Sequence, residues 1–211
     1  MSNANFVETI NVREADPADF DLGCDALAGG FFDDPFMVYM FPDPGRRARF
    51  LPVYFSIYSE GGQMLIAGKN LGDYAGVAVH FSPDAIDLTP EKIAADNERV
   101  HATCGQDAAT VVKGMNALSE RHPRHPRHFY LLFFASRPER RGRAGLALLD
   151  RLTEIWDRED LSVYGEATTT QLKVFYERNI GGKPFGQPII LDSGQELFPM
   201  LRAPRSVRRG F

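Results

Sequence analysis

Apolar and polar positions alternate from Phe6 to Arg13, with Val7, Ile10 and Val12 set among Glu8 and Asn11, and predict a half-buried opening strand. Asp16–Pro17 then offers an N-cap and a first-turn proline to a helix carrying Phe20, Leu22, Cys24 and Leu27, which Gly29–Gly30 is expected to stop. The following FFDDPFMVYMFPD is aromatic, acidic and broken by Pro35 and Pro42, too irregular for one helix and too apolar for a plain surface loop. Arg46 to Ser59 returns to helical spacing, with Phe50, Val53, Tyr54 and Ile57 on one face. Gln63 to Ala67 and Ala75 to His80 read as strands joined through the turn residues Asn70, Gly72 and Asp73. Thr89–Pro90–Glu91 starts a helix reaching about Thr103, Gln106 to Arg121 forms another, and the proline-broken His122 to Arg127 is expected to be exposed.

From His128 the pattern tightens. An apolar run, Phe129 to Ala135, meets a basic, glycine-containing turn, Pro138 to Gly145. A helical pattern, a second strand-like run (Leu161 to Ala167) and a second helix follow. Pro184 to Leu191 and Gln195 to Arg202 make a closing strand pair around Asp192–Ser193–Gly194. The order predicts a mixed α/β (α+β) fold, with helices between strands in the middle and antiparallel hairpins at both ends. Residues 1–203 read as one domain, and Pro204 to Phe211, with Arg205, Arg208 and Arg209, as a mobile basic tail.

Composition narrows the class. A chain of 211 residues with 44% hydrophobic content can bury a sizeable core as a single domain. A net charge of -4 argues against a general nucleic-acid binder. Cys24 and Cys104 lie far apart without metal-ligand spacing, which favours a reducing, cytoplasmic setting and no metal. No stretch approaches about 18 consecutive apolar residues, and Met1 to Glu8 has no basic-then-apolar signal, so no membrane association is expected.

Candidate chemistry centres on the turn after the apolar run. Backbone N–H groups at a helix N-terminus, with the helix dipole behind them, suit an anion. The turn therefore reads as the pyrophosphate cradle of a coenzyme A-type donor, against the alternative of a solvated basic loop. Glu166, at a strand end, can deprotonate an incoming ammonium directly or through water, or form a strand-edge ion pair. Tyr176, spaced with Leu172 and Phe175, can donate a proton or simply fill core. Asp33 and Asp34 can attract a cationic amine or merely begin a turn at Pro35. Phe31, Phe32, Phe36, Tyr39 and Phe41 can line an acceptor pocket or belong to the core. His101, His122, His125 and His128 tempt as bases, but an exposed HPRHPR loop is the expected reading, and His80 has no assigned role. No Gly-x-Ser-x-Gly elbow is present, which favours direct transfer over a covalent enzyme intermediate.

Four segments in order resemble the GNAT N-acetyltransferase superfamily, and within it the puromycin N-acetyltransferase-like bacterial small-molecule enzymes. They are FFDDPFM, HFYLLFFASRPERRG, LTEIWDRE followed by LSVYGEAT, and VFYERNIGG. The resemblance is firm from His128 to Phe198. It implies a mostly antiparallel central sheet flanked by helices, with two middle strands splayed. It further implies that Phe134, Ala135 and Ser136 pair with pantetheine and that Arg141, Gly142, Arg143, Ala144 and Gly145 hold the pyrophosphate. Tyr176 would protonate the leaving thiolate, Glu166 would act as base, and Asp33, Asp34 and Phe36 would lie on the acceptor side. The implied reaction moves an acetyl or related acyl group from acetyl-CoA, or another acyl thioester, to a small-molecule amine, in antibiotic resistance or biosynthesis. Homodimers are common among similar proteins. The turn reads RGRAG where the superfamily has Arg/Gln-x-x-Gly-x-Gly/Ala, and Leu172 stands where an Asn is frequent. Those departures raise a second reading, an acyl donor carried on an acyl carrier protein; a third, from a different class, is a catalytically silent GNAT-like protein that binds a small ligand or regulates a partner through Phe31 to Phe41.

Overall fold

The structure is a computed structural model and describes residues 9–140 and 142–208. Its sheet begins with β1 (Asn11–Glu14), which pairs antiparallel with β2 (Gln63–Gly68). β2 turns back through the Asp73 loop into β3 (Gly76–Phe81), and β3 pairs antiparallel with the nine-residue β4 (His128–Ser136). β5 (Ser162–Ala167) lies parallel to β4, and β8 (Glu196–Arg202) returns antiparallel to β5. Two short pieces, β6 (Lys183–Pro184) and β7 (Ile189–Ile190), pair with β8. This is the mixed α/β fold that the residue order predicts, with the mostly antiparallel sheet that the resemblance implies.

Helices cover both faces. On one lie α1 (Phe20–Phe31), α2 (Pro35–Met40), α3 (Pro44–Ser59), α4 (Pro90–Thr103) and α5 (Ala108–Arg121), over a phenylalanine-rich core that includes Phe31, Phe41, Phe55 and Phe133. On the other lie α6 (Arg143–Glu159) and α7 (Thr170–Ile180). α6 supplies the β4–β5 crossover that a parallel pair needs, and its buried Ala144, Leu148, Leu149, Leu152 and Trp156 follow helical spacing.

Several expectations change. Phe6 to Glu8 of the predicted opening strand lie outside the described residues, and β1 covers only Asn11–Glu14. The expected irregular segment contains a real helix, α2, because Asp34 caps it by accepting from the Phe36 N–H at 2.9 Å and Pro35 occupies its first turn. α1 runs through Gly29 and Gly30 rather than stopping there. A Cβ on Gly30 would lie 2.7 Å from the Ala135 Cβ and 3.2 Å from the Ser136 carbonyl oxygen, so this glycine lets the helix close on the end of β4. A Cβ on Gly29 would touch nothing within 4 Å. Two matched variants therefore diverge. Gly29→Ala should raise stability by up to ~1 kcal/mol through helix propensity. At Gly30→Ala the clash outweighs that gain, and a loss of ~1–2 kcal/mol is expected in urea unfolding.

Residues 205–208, read as part of a mobile tail, form a turn of helix, α8 (Arg205–Arg208). Asp160 accepts from the Ser206 N–H at 2.8 Å, and the Arg208 guanidinium binds Asp157. Arg209 lies outside the described residues. Cys24 and Cys104 are free and buried. No helix among the described residues is long and apolar enough to cross a membrane.

Candidate active site

β4 and β5 share only three pairs, His128 with Ser162, Phe129 with Val163 and Tyr130 with Tyr164. Beyond them β4 continues to Ser136 and β5 to Ala167 without pairing, so a wedge opens between the two strands. Gly165 stands at its apex, where a Cβ would lie 2.8 Å from the Leu131 carbonyl oxygen. A bulge helps to turn β4 away. Val79 pairs with Phe133 and His80 with Leu131, leaving Leu132 as the extra residue. Alternation resets there: Leu131 belongs to the α6–α7 face, Leu132 and Phe133 both to the opposite face, and Phe134 to the α6–α7 face again.

The donor-side turn lies at the wide end of the wedge. Gly142, at φ 96°, is the N-cap of the 17-residue α6 and has no side chain to occupy the first amides. The first intrahelical bond of the turn runs from the Leu146 N–H to the Gly142 carbonyl, so the N–H groups of Arg143, Ala144 and Gly145 have no acceptor within the helix. Gly145 keeps the helix close to the strand, since a Cβ there would lie 3.3 Å from the Ser136 Oγ and 3.4 Å from the Phe134 ring. Arg141 lies outside the described residues. Arg140 is tied to Asp73 at 3.0 Å. Leu172 is half-buried against the α6–α7 core and offers no polar side-chain atom.

Glu166 sits two residues beyond the last paired position of β5, on the same face as Tyr164. It forms no ion pair, which removes the strand-edge alternative among the described residues. Instead the Tyr130 hydroxyl donates to its Oε2 at 3.0 Å, while its Oε1 is sealed from water without a hydrogen-bond partner. Part of the side chain is accessible, but the carboxyl group itself is desolvated. Burial pushes its pKa up to about 7, against the opposing pull of nearby tyrosine hydroxyls. The Tyr164 hydroxyl lies close by yet makes no well-formed bond. Among the described residues, Glu166 is a carboxyl group poised to exchange a proton near neutrality.

Tyr176 approaches from the other face. It is 7% exposed, on α7, with its ring 6.1 Å from Phe134 in an edge-on arrangement. Its hydroxyl has no hydrogen-bond partner among the described residues. Burial raises its pKa, and the charges of Asp34 and Glu166 raise it further across the wedge. α7 is fixed at both ends, by Thr169 accepting from the Leu172 N–H at 3.1 Å and by Gly181 at φ 68°. A protonated phenol and a near-neutral carboxyl thus flank one gap from opposite sides.

The acceptor-side residues separate. Asp34 reaches β5, accepting from the Thr168 hydroxyl at 2.5 Å, and burial raises its pKa. It ties α2 to the end of β5. Asp33 is exposed. Phe36 is 2% exposed and stacks on Tyr39 in the core. Phe31 and Phe41 are likewise core, while Phe32 lies under Arg47 and Tyr39 donates to Asp192 at 2.7 Å. The aromatic segment is therefore mostly packing.

The expected exposed loop holds for Arg124, His125, Pro126 and Arg127, but its first residue, His122, is buried, as is His128 at the start of β4. His122 and His128 are 7% and 4% exposed, and their Nε2 atoms are 2.9 Å apart. His128 Nδ1 donates to the Pro126 carbonyl at 2.6 Å, so the Nε2 of a neutral His128 accepts and the His122 Nε2–H donates. Burial pushes His122 down to about 3, with His128 and Arg124 adding to the effect. His128 is also lowered by burial. His101 is exposed. His80 is fully buried beside Trp156 and pushed down to about 4. No group of three His, Cys, Asp or Glu side chains among the described residues is placed to hold a metal.

Sequence reasoning missed Tyr130 and a cleft beside it. The cleft runs between the end of α3, the loop after β3, α4, α5 and β4, and Tyr130 and Leu132 form its inner wall. The signal available was the spacing of Tyr164 and Glu166 on one strand face, which asks for a hydroxyl partner from a neighbouring strand.

No protein-family model matches the chain, and no curated protein matches it in sequence. Solved structures do. A Corynebacterium glutamicum protein described as histone acetyltransferase HPA2 and related acetyltransferase is 28% identical, with 93% of this chain and 97% of that chain covered and a TM-score of 0.70. A polyamine N-acetyltransferase from Drosophila melanogaster, which forms N-acetylagmatine, is 16% identical over 92% of this chain and 100% of its own, with a TM-score of 0.59. A GCN5-related N-acetyltransferase from Rhodopseudomonas palustris is 15% identical over 92% of this chain and 96% of its own, with a TM-score of 0.55. The last two speak for the fold.

Proposed function

We propose that this chain, a GNAT-type N-acyltransferase in fold and in the order of its motifs, moves an acyl group from a coenzyme A thioester to the amine of a small molecule by direct transfer. The observation that carries the reading is the wedge between β4 and β5, with Glu166 on one side and Tyr176 on the other. An acyl thioester threaded through the wedge would extend the free edge of β4 at Phe134, Ala135 and Ser136, as an added strand does. The amides of Arg143, Ala144 and Gly145, without an acceptor among the described residues and reinforced by the α6 dipole, fit its pyrophosphate. Acetyl is the default acyl group.

Chemistry follows from the two flanking groups. The amine nitrogen, once neutral, attacks the thioester carbonyl carbon, and main-chain N–H groups of β4 facing the gap stabilise the negative charge on its oxygen. Glu166 accepts the proton lost from nitrogen, directly or through a water at its unpartnered Oε1. The C–S bond then breaks, and Tyr176 supplies a proton to the departing sulfur. Asp34 holds the end of the wedge through Thr168 and contributes negative potential; Asp33 and Phe36 have no direct part.

Titration calorimetry with acetyl-CoA tests the reading. Saturable binding that weakens with added salt is expected, because phosphate recognition is electrostatic. No heat and no thermal shift at millimolar acetyl-CoA would exclude coenzyme A as donor. The shortened RGRAG turn supports a second reading, an acyl group on a carrier protein's phosphopantetheine arm, which lacks the adenosine 3′-phosphate and needs a less complete pyrophosphate cradle. Comparing rates with acyl-loaded carrier protein and acyl-CoA separates the two.

Tyr130→Phe gives a further check. Its hydroxyl favours the charged form of Glu166, so removing it should move the rising limb of the pH–rate profile to higher pH. A limb that stays put would remove Tyr130 from the account.

A further inference from the structure

The cleft behind Tyr130 differs in chemistry from everything else at the wedge. Phe81, Ile86, Leu88, Ile93, Met115 and Leu118 give it an apolar body. Its inner wall is Tyr130 and the bulged Leu132, the residues that border the wedge, and Tyr130 leads directly to the Glu166 carboxyl. The lining also carries the carboxylates of Glu60, Asp87 and Asp96, and Glu60 is paired with Arg99 at 2.6 Å. Among the described residues, the one lysine or arginine in its lining, Lys92, is bound to Asp96 at 2.5 Å. His122, also in the wall, is committed to His128 as a neutral ring.

Charge and polarity together select a ligand class. Glu166 lies behind Tyr130, Asp87 is exposed at the rim, Glu60 and Asp96 are held by Arg99 and Lys92, and among the described residues no unpaired cation stands in the lining to receive an anionic group. Tyr58, Asn97, Asn116 and Ser119 place a few polar groups among these walls, but the apolar side chains give no partner to the remaining hydroxyls of a polyhydroxylated body, which would be left unsatisfied on burial. We propose that this cleft binds the acceptor, and that the acceptor is a primary amine on an apolar aryl or branched-alkyl body without an anionic group, its amine directed past Tyr130 toward Glu166. The assignment rests on the acyl-transfer reading for the direction of the amine, but the cleft and its ligand class are testable without turnover.

The experiment uses 2-phenylethylamine as probe, with glutamate and glucosamine as contrasts, on the full chain and on Ile93→Trp. Ile93 is half-buried in the cleft wall, so a larger ring there fills the space without disturbing the sheet. Amine binding is measured by calorimetry with and without acetyl-CoA, donor binding is measured separately, and KM values are taken where turnover occurs. The expected result is saturable binding of 2-phenylethylamine, at least about tenfold tighter than either contrast. In Ile93→Trp that binding or KM worsens at least about tenfold, with acetyl-CoA binding unchanged. Preference for glutamate or glucosamine, or indifference of amine binding to Ile93→Trp, would overturn the assignment. So would absence of amine binding to the donor-loaded protein. If acetyl-CoA fails to bind but the amine binds and Ile93→Trp blocks it, the cleft stands and the donor reading falls.

Discussion

Glu166→Gln is expected to lower kcat/KM for amine acceptors by about 10²- to 10³-fold while leaving acyl-CoA affinity unchanged, since a well-placed general base is worth about that much. The substitution keeps the side chain's size and its bond from the Tyr130 hydroxyl, and removes only the ability to take a proton. In the unaltered protein the carboxyl titrates at about 7, so activity should rise as pH passes from 6 to 8 and the base form fills. Glu166→Gln should flatten that limb. Stability moves the opposite way. The folded pKa of about 7 lies above the ordinary 4.5, so the folded state holds this proton more tightly than the unfolded chain. The penalty is absent below about 4.5, grows as pH rises and is complete above about 7. Glu166→Gln should therefore gain ~1–3 kcal/mol at pH 8 and much less at pH 5, read by urea unfolding at both values. Lost activity with no pH-dependent gain in stability would mean that the carboxyl is not desolvated as described.

Tyr176→Phe carries the second large effect, an expected fall in kcat of about 10- to 100-fold, with donor binding retained. The phenol's pKa is raised by burial and by the carboxylates across the wedge, so it keeps its proton at any working pH and can act only as a donor. The ring packs edge-on against Phe134, and phenylalanine preserves that contact. A purely structural role would leave kcat untouched in Tyr176→Phe. An acid role predicts a loss that shrinks when the leaving thiol is made more acidic, because such a thiolate departs without help. Measuring rates with a series of acyl thioesters separates the two.

How much of this was legible beforehand varies by element. β4, the turn after it and α6 were readable because an apolar run, a glycine and a helical stripe follow one another within a short stretch. Their strong local signals survive any tertiary context. Gly30 misled because a glycine that stops a helix and one that admits a neighbouring strand look the same in sequence; only the Ala135 contact distinguishes them. His122 misled because HPRHPR is polar and broken by proline, whereas its burial comes from Tyr130 and Tyr164, with ring centroids 4.5 and 5.0 Å away. Phe36 was placed at the substrate for its neighbours in sequence, yet the cap at Asp34 turns it into the core. The cleft is built from five separate segments, and no local pattern reports an assembly of that kind.

The central claim is that an acyl thioester occupies the wedge between β4 and β5. A crystal structure with a non-hydrolysable acyl-CoA analogue tests it most directly. The account predicts the pantetheine arm along Phe134 to Ser136, the pyrophosphate on the amides of Arg143 to Gly145, and the acyl carbon between Glu166 and Tyr176. An analogue bound elsewhere, with the wedge still empty or closed around side chains, would contradict it.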